Sequence, residues 1–273
     1  MGLCKKRAFE VLEKISFERI AGTEAELKCA NILKEECEKA GVEVVIEEFE
    51  IDTPEVLEVE FMMTKPYELK FNCIGIGNSG NTPDEGICAP LVYVENGMDA
   101  NLLDVKGKIV LLTGGTFDTM EKVQKAGAVG YISVHGSLFD SEEMIKEIRT
   151  RNARKKPGDE SNLPGVVLHI TDAQKLLRAI PEEVKIYLKQ DGKKKGISHN
   201  VVATIKGTEL PDEIITFSAH FDSVIYSSGA WDNGTGSITI MELMHYFNEF
   251  KPKRTLKFIW CGSEEMGLLG SKA

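Results

Sequence analysis

The chain has 273 residues, room for two compact domains. Its 42% hydrophobic and 28% charged content is that of a globular protein, and 33 Lys+Arg against 43 Asp+Glu leave a net charge of −10. That balance argues against a general nucleic-acid binder, which needs a basic surface. No apolar run approaches the roughly 20 residues that cross a bilayer. The opening MGLCKKRAFEVLEKISFERI lacks the continuous apolar core of a signal peptide, and Gly2 lacks the downstream Ser/Thr of a myristoylation site, so a cytoplasmic location is expected. The six cysteines form no CxxC pair; Cys29 and Cys37 lie more than two turns apart on one predicted helix and cannot bridge, so reduced thiols are expected.

Ala8, Val11, Leu12 and Ile15 fall at helical spacing and predict a first helix. Thr23 to Glu26 reads as a capping box, after which Leu27, Ala30, Leu33, Cys37 and Ala40 form one apolar face that Gly41 ends. The β-branched run 42–51 predicts a strand, and Thr53-Pro54 begins a crossing into an inserted region. In that region 109–112 and 129–134 predict buried strands around a short helix near 119–126. Gly114-Gly115 suits a turn and not a phosphate loop, since neither GxxxxGK nor GxGxxG follows. A helix is expected over 141–149, a polar loop over 151–164, a strand over 166–170, a capping box at Thr171–Gln174 and a strand over 184–188. Residues 191–196 read as the exit linker, followed by strands at 201–206 and 214–219 and a helix over 237–247. His245 lies well along that helix, where a packing or surface role is expected.

The chemistry-bearing residues cluster in the last fifty-odd positions. The run 214–219 predicts a buried strand ending at His220-Phe221-Asp222-Ser223, and 255–260 predicts another ending just before Glu264-Glu265. Between them stands Trp231-Asp232-Asn233-Gly234. In an open α/β sheet, ligands bind beyond the carboxyl ends of the strands. One imidazole and several carboxylates meeting there suit a divalent metal such as zinc. Alternate residues of a strand point the same way, so Asp222 is expected near the imidazole of His220.

These motifs, HFDS at 220–223, DNGTG at 232–236 and EEMGLLGS at 264–271, resemble the M28 family of zinc peptidases, the co-catalytic aminopeptidases. RIAGTEAE at 19–26 is similar to the family's N-terminal helix entry, and HNVVATIKGT at 199–208 to its first core strand. VKGKIVLLTGG at 105–115 with KAGAVGYISVHG at 125–136 resembles a protease-associated domain. The resemblance implies an α/β fold with a mixed, mostly parallel sheet flanked by helices, built from 1–60 and 196–273, around a β-rich protease-associated insert at 61–195. It implies His220, Asp232 and Glu265 as ligands of two zinc ions, with Asp232 bridging. It implies Glu264 as the general base on metal-activated water, Asp222 as the carboxylate orienting His220, and a cis peptide after Asp232. The implied activity is removal of N-terminal residues from peptides.

The family supplies another Asp and a His ligand beyond its EE motif, and this sequence ends at Ala273. His135, His169 and His199 match no ligand position. The expectation is therefore a C-terminally truncated, impaired aminopeptidase with three of five ligands. The alternatives are a non-catalytic binding protein built on the protease-associated domain, or a fragment of a split or interrupted peptidase; carboxypeptidase and cyclase variants use similar ligands. An uncovered edge on the strand at 255–260 is also expected, open to self-association or to a complementary C-terminal polypeptide.

Overall fold

The computed structural model describes residues 3–114, 119–137, 139–140, 151–153, 162–192 and 194–273. The helix expected at 141–149 and most of the loop at 151–164 lie outside them. Contacts divide the chain into two compact units, unit 1 of Met1–Thr53 with Lys195–Ala273 and unit 2 of Pro54–Lys194.

Unit 1 opens with helices α1 (Lys5–Ile15) and α2 (Glu24–Lys39) and strand β1 (Glu43–Asp52). Arg7 pairs with Glu242 at 2.7 Å, which also accepts the Cys4 N–H, anchoring the start of α1 on the helix over 235–249. Thr23 caps α2 by accepting the Glu26 N–H, as the capping box predicts. The reciprocal half differs: the Glu26 carboxylate accepts from Gly22, and the Thr23 N–H donates to the Ile20 carbonyl. The buried stripe of α2 is rotated from the expected one. Glu26, Cys29, Ala30, Leu33 and Cys37 face inward, while Leu27 stays 38% exposed. Burial pushes the thiols of Cys29 and Cys37 up to about 12, so both are chemically quiet in the folded chain.

Unit 2 holds strands β2 (Glu55–Lys65), β3 (Leu69–Phe71), β4 (Cys73–Gly77), β5 (Ile87–Ala89), β6 (Leu91–Tyr93), β7 (Ile109–Leu112), β8 (Gly130–His135), β9 (Arg151–Asn152), β10 (Gly165–His169) and β11 (Glu183–Asp191), with helices α3 (Thr119–Lys125) and α4 (Ile170–Arg178). They form a six-stranded sheet in the order β6-β7-β8-β10-β4-β9 and a four-stranded sheet in the order β3-β2-β11-β5. The fully buried runs Ile109–Leu112 and Val166–Leu168 explain why those strands are legible as continuous apolar stretches. Because β2 pairs with β11 along its length, it lies wholly in unit 2, and the crossing falls at Thr53/Pro54, not at residue 60. The cap of α4 is also not the expected one: His169, extended at the end of β10, accepts the Thr171 N–H through Nδ1 at 3.1 Å.

The chain returns through β12 (Lys195–Ile205), β13 (Leu210–His220), α5 (Thr235–Glu249) and β14 (Arg254–Cys261). Only 192–194 separate β11 from β12, a shorter link than expected. The sheet of unit 1 runs β1-β12-β14-β13. It is mixed, with β12 antiparallel to both β1 and β14, and parallel pairing confined to β13 and β14. Its core packs Val11, Ile15, Leu33, Met241, Met244, Phe258 and Trp260 together. Trp260 donates its indole N–H to the Ser237 carbonyl at 2.9 Å, fastening β14 to α5.

Two expectations about these strands are corrected. The strand at 254–261 is internal and buried, flanked by β12 and β13. The run at 214–219, read as buried, lies on the edge strand β13, where Ile214 is 56% and Ile215 44% exposed. An apolar β-branched run specifies strand conformation, whereas burial depends on which neighbour pairs with it. No helix among the described residues is long and apolar enough to cross a membrane.

One buried cation ties unit 1 together at the end of its sheet. Arg19, fully buried, donates to five backbone carbonyls, those of Ile15, Phe17, Phe221, Ser228 and Gly229. The Arg19 N–H donates to Ser223 Oγ, and the Ser223 N–H returns to the Arg19 carbonyl. Gly229 sits at φ +59°, and a Cβ there would fall 2.6 Å from the guanidinium, so close approach requires glycine. Burial lowers the Arg19 pKa, partly offset by Cys29 and Asp222. An ammonium cannot reproduce this planar fork of donors. Arg19→Lys is expected to destabilise unit 1 by at least about 3 kcal/mol, since several buried carbonyls lose their donor. Both tryptophans, Trp231 and Trp260, lie in unit 1, so denaturation followed by tryptophan emission reads that unit; an unchanged midpoint would contradict this role.

Candidate metal centre

Parallel pairing of β13 and β14 sets His220 beside Cys261 at the same end of the sheet. The residues that follow each strand, Asp222 and Glu264–Glu265, therefore emerge side by side. Asp222 is fully buried. Its two carboxylate oxygens accept the backbone N–H groups of Glu264 and Glu265, each at 3.1 Å. Asp222 Oδ1 also faces His220 Nδ1 at 3.3 Å, as alternation along a strand predicts. The alignment there falls short of a full hydrogen bond and leaves Nδ1 buried without one.

The third element arrives from the turn before α5. Asp232 has extended backbone (φ −111°, ψ 101°) and is followed by a cis peptide to Asn233, the geometry the resemblance implies. Asn233 Oδ1 accepts the Gly236 N–H at 3.0 Å and so caps the entry to α5. A Cβ on Gly236 would lie within 2.8 Å of the Asn233 amide, which accounts for the small residue in DNGTG. Thr235 Oγ1 donates to the Trp231 carbonyl, and Ser237 Oγ to the His220 carbonyl.

His220 Nε2 lies 3.1 Å from Asp232 Oδ1 and 3.7 Å from Glu264 Oε2. One ligand atom each from His220, Asp232 and Glu265 lies within 4.8 Å of the other two, a span that one shared cation fits. No other such group of three occurs among the described residues. Glu264 is the remaining carboxylate, with its side chain 34% exposed and facing the same cluster. All five sequence-predicted site residues thus come together, while His245 stays on α5 outside the cluster.

The charge pattern fits a cation. Burial lowers the His220 pKa, but Asp222, Glu264 and Asp232 outweigh it and raise it to about 9. Burial and the like charges of Asp222, Asp232 and Glu264 push the Glu265 carboxyl up, with His220 opposing. Four carboxylates around one imidazole leave excess negative charge that a divalent ion would neutralise. One nitrogen and two carboxylate oxygens are a donor set suited to zinc.

Sequence reading overlooked two sets of side chains that support this cluster. Arg19 spans the carbonyl of Phe221 and the turn at Ser228–Gly229, and so spaces His220 from Asp232. Glu26, Ser198 and Ser263 lie buried in contact with one another. Neither set carries a local signal, because each partner lies far away in the chain.

Residues 200–273 match the model of Peptidase family M28. The chain is 29% identical to "Aminopeptidase YwaD" of Bacillus subtilis (strain 168) over 272 residues, covering 97% of this chain and 56% of that protein. It is 26% identical to human "Carboxypeptidase Q" over 267 residues, 93% of this chain and 57% of that protein. A solved zinc aminopeptidase from Bacillus subtilis superposes with a TM-score of 0.73 at 27% identity, over 97% of this chain and 63% of that one. An aminopeptidase from Aneurinibacillus sp. strain AM-1 gives 0.71 at 26% identity, over 98% of this chain and 64% of that one. The chain therefore spans little more than half the length of the curated relatives it matches. The motifs carrying His220, Asp232, Glu264 and Glu265 all fall inside the matched segment, and by that match and the shared fold residues 200–273 belong to peptidase family M28.

Proposed function

We propose that this chain carries a zinc-binding exopeptidase centre, with hydrolysis at the N-terminus of a peptide as its chemistry. The observation that carries the reading is the convergence of His220, Asp232 and Glu265 within 4.8 Å. Those three side chains would hold the ion, with Asp222 Oδ1 facing the opposite ring nitrogen of His220, Nδ1, at 3.3 Å. A zinc ion in that position supplies a Lewis acid toward the scissile carbonyl and a cation that acidifies water. Glu264 takes the proton of the attacking water and returns it to the leaving amine. The names of the Bacillus relatives support aminopeptidase over carboxypeptidase chemistry, and the solved one is a zinc enzyme by name.

The three ligands lie close enough together to share one cation. Unit 2, with two sheets and two α-helices among the described residues, is assigned as the protease-associated domain. A second reading, a contact-making chain, rests on β13. It is the outer strand of its sheet, with Ile214 and Ile215 exposed, and a second copy or a complementary polypeptide would add a strand there.

Zinc content and hydrolysis of aminoacyl p-nitroanilides separate these readings. Glu264→Gln is expected to keep its zinc and to lose about 100-fold or more in kcat, the usual contribution of a general base. Asp222→Asn is expected to weaken zinc binding by about 10–100-fold, because the negative charge facing the imidazole is lost and an amide N–H2 replaces one of the two oxygens that accept the Glu264 and Glu265 N–H groups. His220→Ala with undiminished zinc content would sink the metal assignment. Light scattering during size-exclusion is expected to give a dimer or larger species that Ile214→Lys dissociates; a monomer at high concentration would remove the β13 contact.

A further inference from the structure

Glu26 is a capping-box residue by sequence, yet it is fully buried, which an exposed helix-cap carboxylate has no reason to be. Its Oε1 accepts from Ser198 Oγ, and Ser198 Oγ accepts in turn from Ser263 Oγ at 2.7 Å. Its Oε2 accepts the Gly22 N–H at 2.9 Å and faces His199 Nδ1 at 3.4 Å. Ser198 and Ser263 are both fully buried. The hydroxyl chain is directed: Ser263 donates to Ser198, and Ser198 donates to the carboxylate.

Ser263 immediately precedes Glu264. It holds a left-handed backbone (φ +53°) that a residue with a side chain adopts only when its surroundings dictate it. The neighbouring Gly262 lies so close to this group that a Cβ would fall 2.5 Å from Glu26 Oε1 and 2.7 Å from Ser198 Oγ. Asn200 holds the ends of the same loop, accepting the Gly262 N–H and donating to the Gly270 carbonyl. The loop that presents Glu264 and Glu265 is thus gripped on one side by Asp222 and on the other by Ser263. Burial raises the Glu26 pKa, and Ser198, Gly22 and His199 oppose the rise, as expected of a carboxylate whose partners favour its charged form.

We infer that Glu26 is a positioning residue for the Glu264–Glu265 pair, acting through Ser198 and Ser263 to fix the left-handed turn that aims both side chains at the metal centre. Its significance for metal binding rests on the reading of His220, Asp232 and Glu265 as that centre; the mechanical link does not. A carboxylate is an acceptor at both oxygens, which the donors around Glu26 require. A Gln amide turns an N–H2 group toward one of them. Ser263→Ala cuts the link at the loop and leaves the other partners of Glu26 in place.

The test uses the full chain as wild type, Glu26→Gln and Ser263→Ala, with backbone amide exchange by mass spectrometry and cobalt(II) titration followed by visible absorption. Breaking the chain at either end is expected to raise exchange across 262–270 by roughly tenfold, with exchange in α5 unchanged. Cobalt(II) affinity is expected to fall by a similar factor, with an altered absorption band, in both variants. Exchange across 262–270 within twofold of wild type in Ser263→Ala, or a rise equal in α5, overturns the inference. So does unchanged cobalt affinity in Ser263→Ala when the wild type binds the ion. If Glu26→Gln fails to fold, Ser263→Ala decides alone. If the wild type binds no cobalt, the metal reading falls, and the exchange arm still judges the link.

Discussion

The site depends on one buried carboxylate. Asp222 accepts the N–H groups of Glu264 and Glu265 and faces the His220 imidazole, so a single side chain joins the ends of two strands. It can do so only because β13 and β14 are parallel and in register at His220 and Cys261. An antiparallel pair would have placed the two C-terminal strand ends at opposite ends of the sheet. Asp232, in the turn between β13 and α5, stays at that same end, and the crossover through α5 returns the chain to the start of β14. Topology thus does the coarse placement, and hydrogen bonds to backbone groups do the fine placement.

How much of this is legible in the sequence follows from the range of each interaction. The HxD spacing, the adjacent glutamates and the Asp-Asn-Gly turn are local patterns at strand ends, and the structure brings all five residues together where those patterns point. The runs at 109–112 and 166–168 are legible because burial on both faces makes them continuously apolar. The strand at 55–65 passes unnoticed because its glutamates at 55, 58 and 60 break the run. Which strand lies at the sheet edge is not a local property either, and 214–219 is more exposed than its composition suggests. Arg19 is the extreme case: its partners at Phe221 and Gly229 lie about 200 residues away, and only the folded chain names them.

Electrostatics gives the two supporting residues a common logic. The centre concentrates Asp222, Asp232, Glu264 and Glu265 around one imidazole, and repulsion among these carboxylates works against the compact arrangement. Arg19 places a buried positive charge near Asp222 and donates its side-chain hydrogen bonds to backbone carbonyls, not to a carboxylate. The Glu26 carboxyl is met by neutral groups, the Ser198 hydroxyl, the Gly22 N–H and the His199 ring, with no Lys or Arg among these partners. Neither residue projects into the cluster. Each converts a buried charge into a geometric constraint on the backbone that carries the ligands, Arg19 on the segment leading to Asp232 and Glu26 on the turn leading to Glu264.

That division explains why the more exposed members of the centre are among those assigned to its chemistry. Asp232 is 73% exposed in its side chain and Glu264 34%, against 10% for His220, while Asp222, Arg19, Glu26 and Ser263 are fully buried. A site that must exchange water, substrate and an ion needs open ligands, and open side chains are not held by packing. Their precision must come from buried neighbours whose own hydrogen bonds are satisfied. The arrangement therefore assigns rigidity to residues that never touch the reacting atoms and leaves chemistry to residues that packing barely restrains.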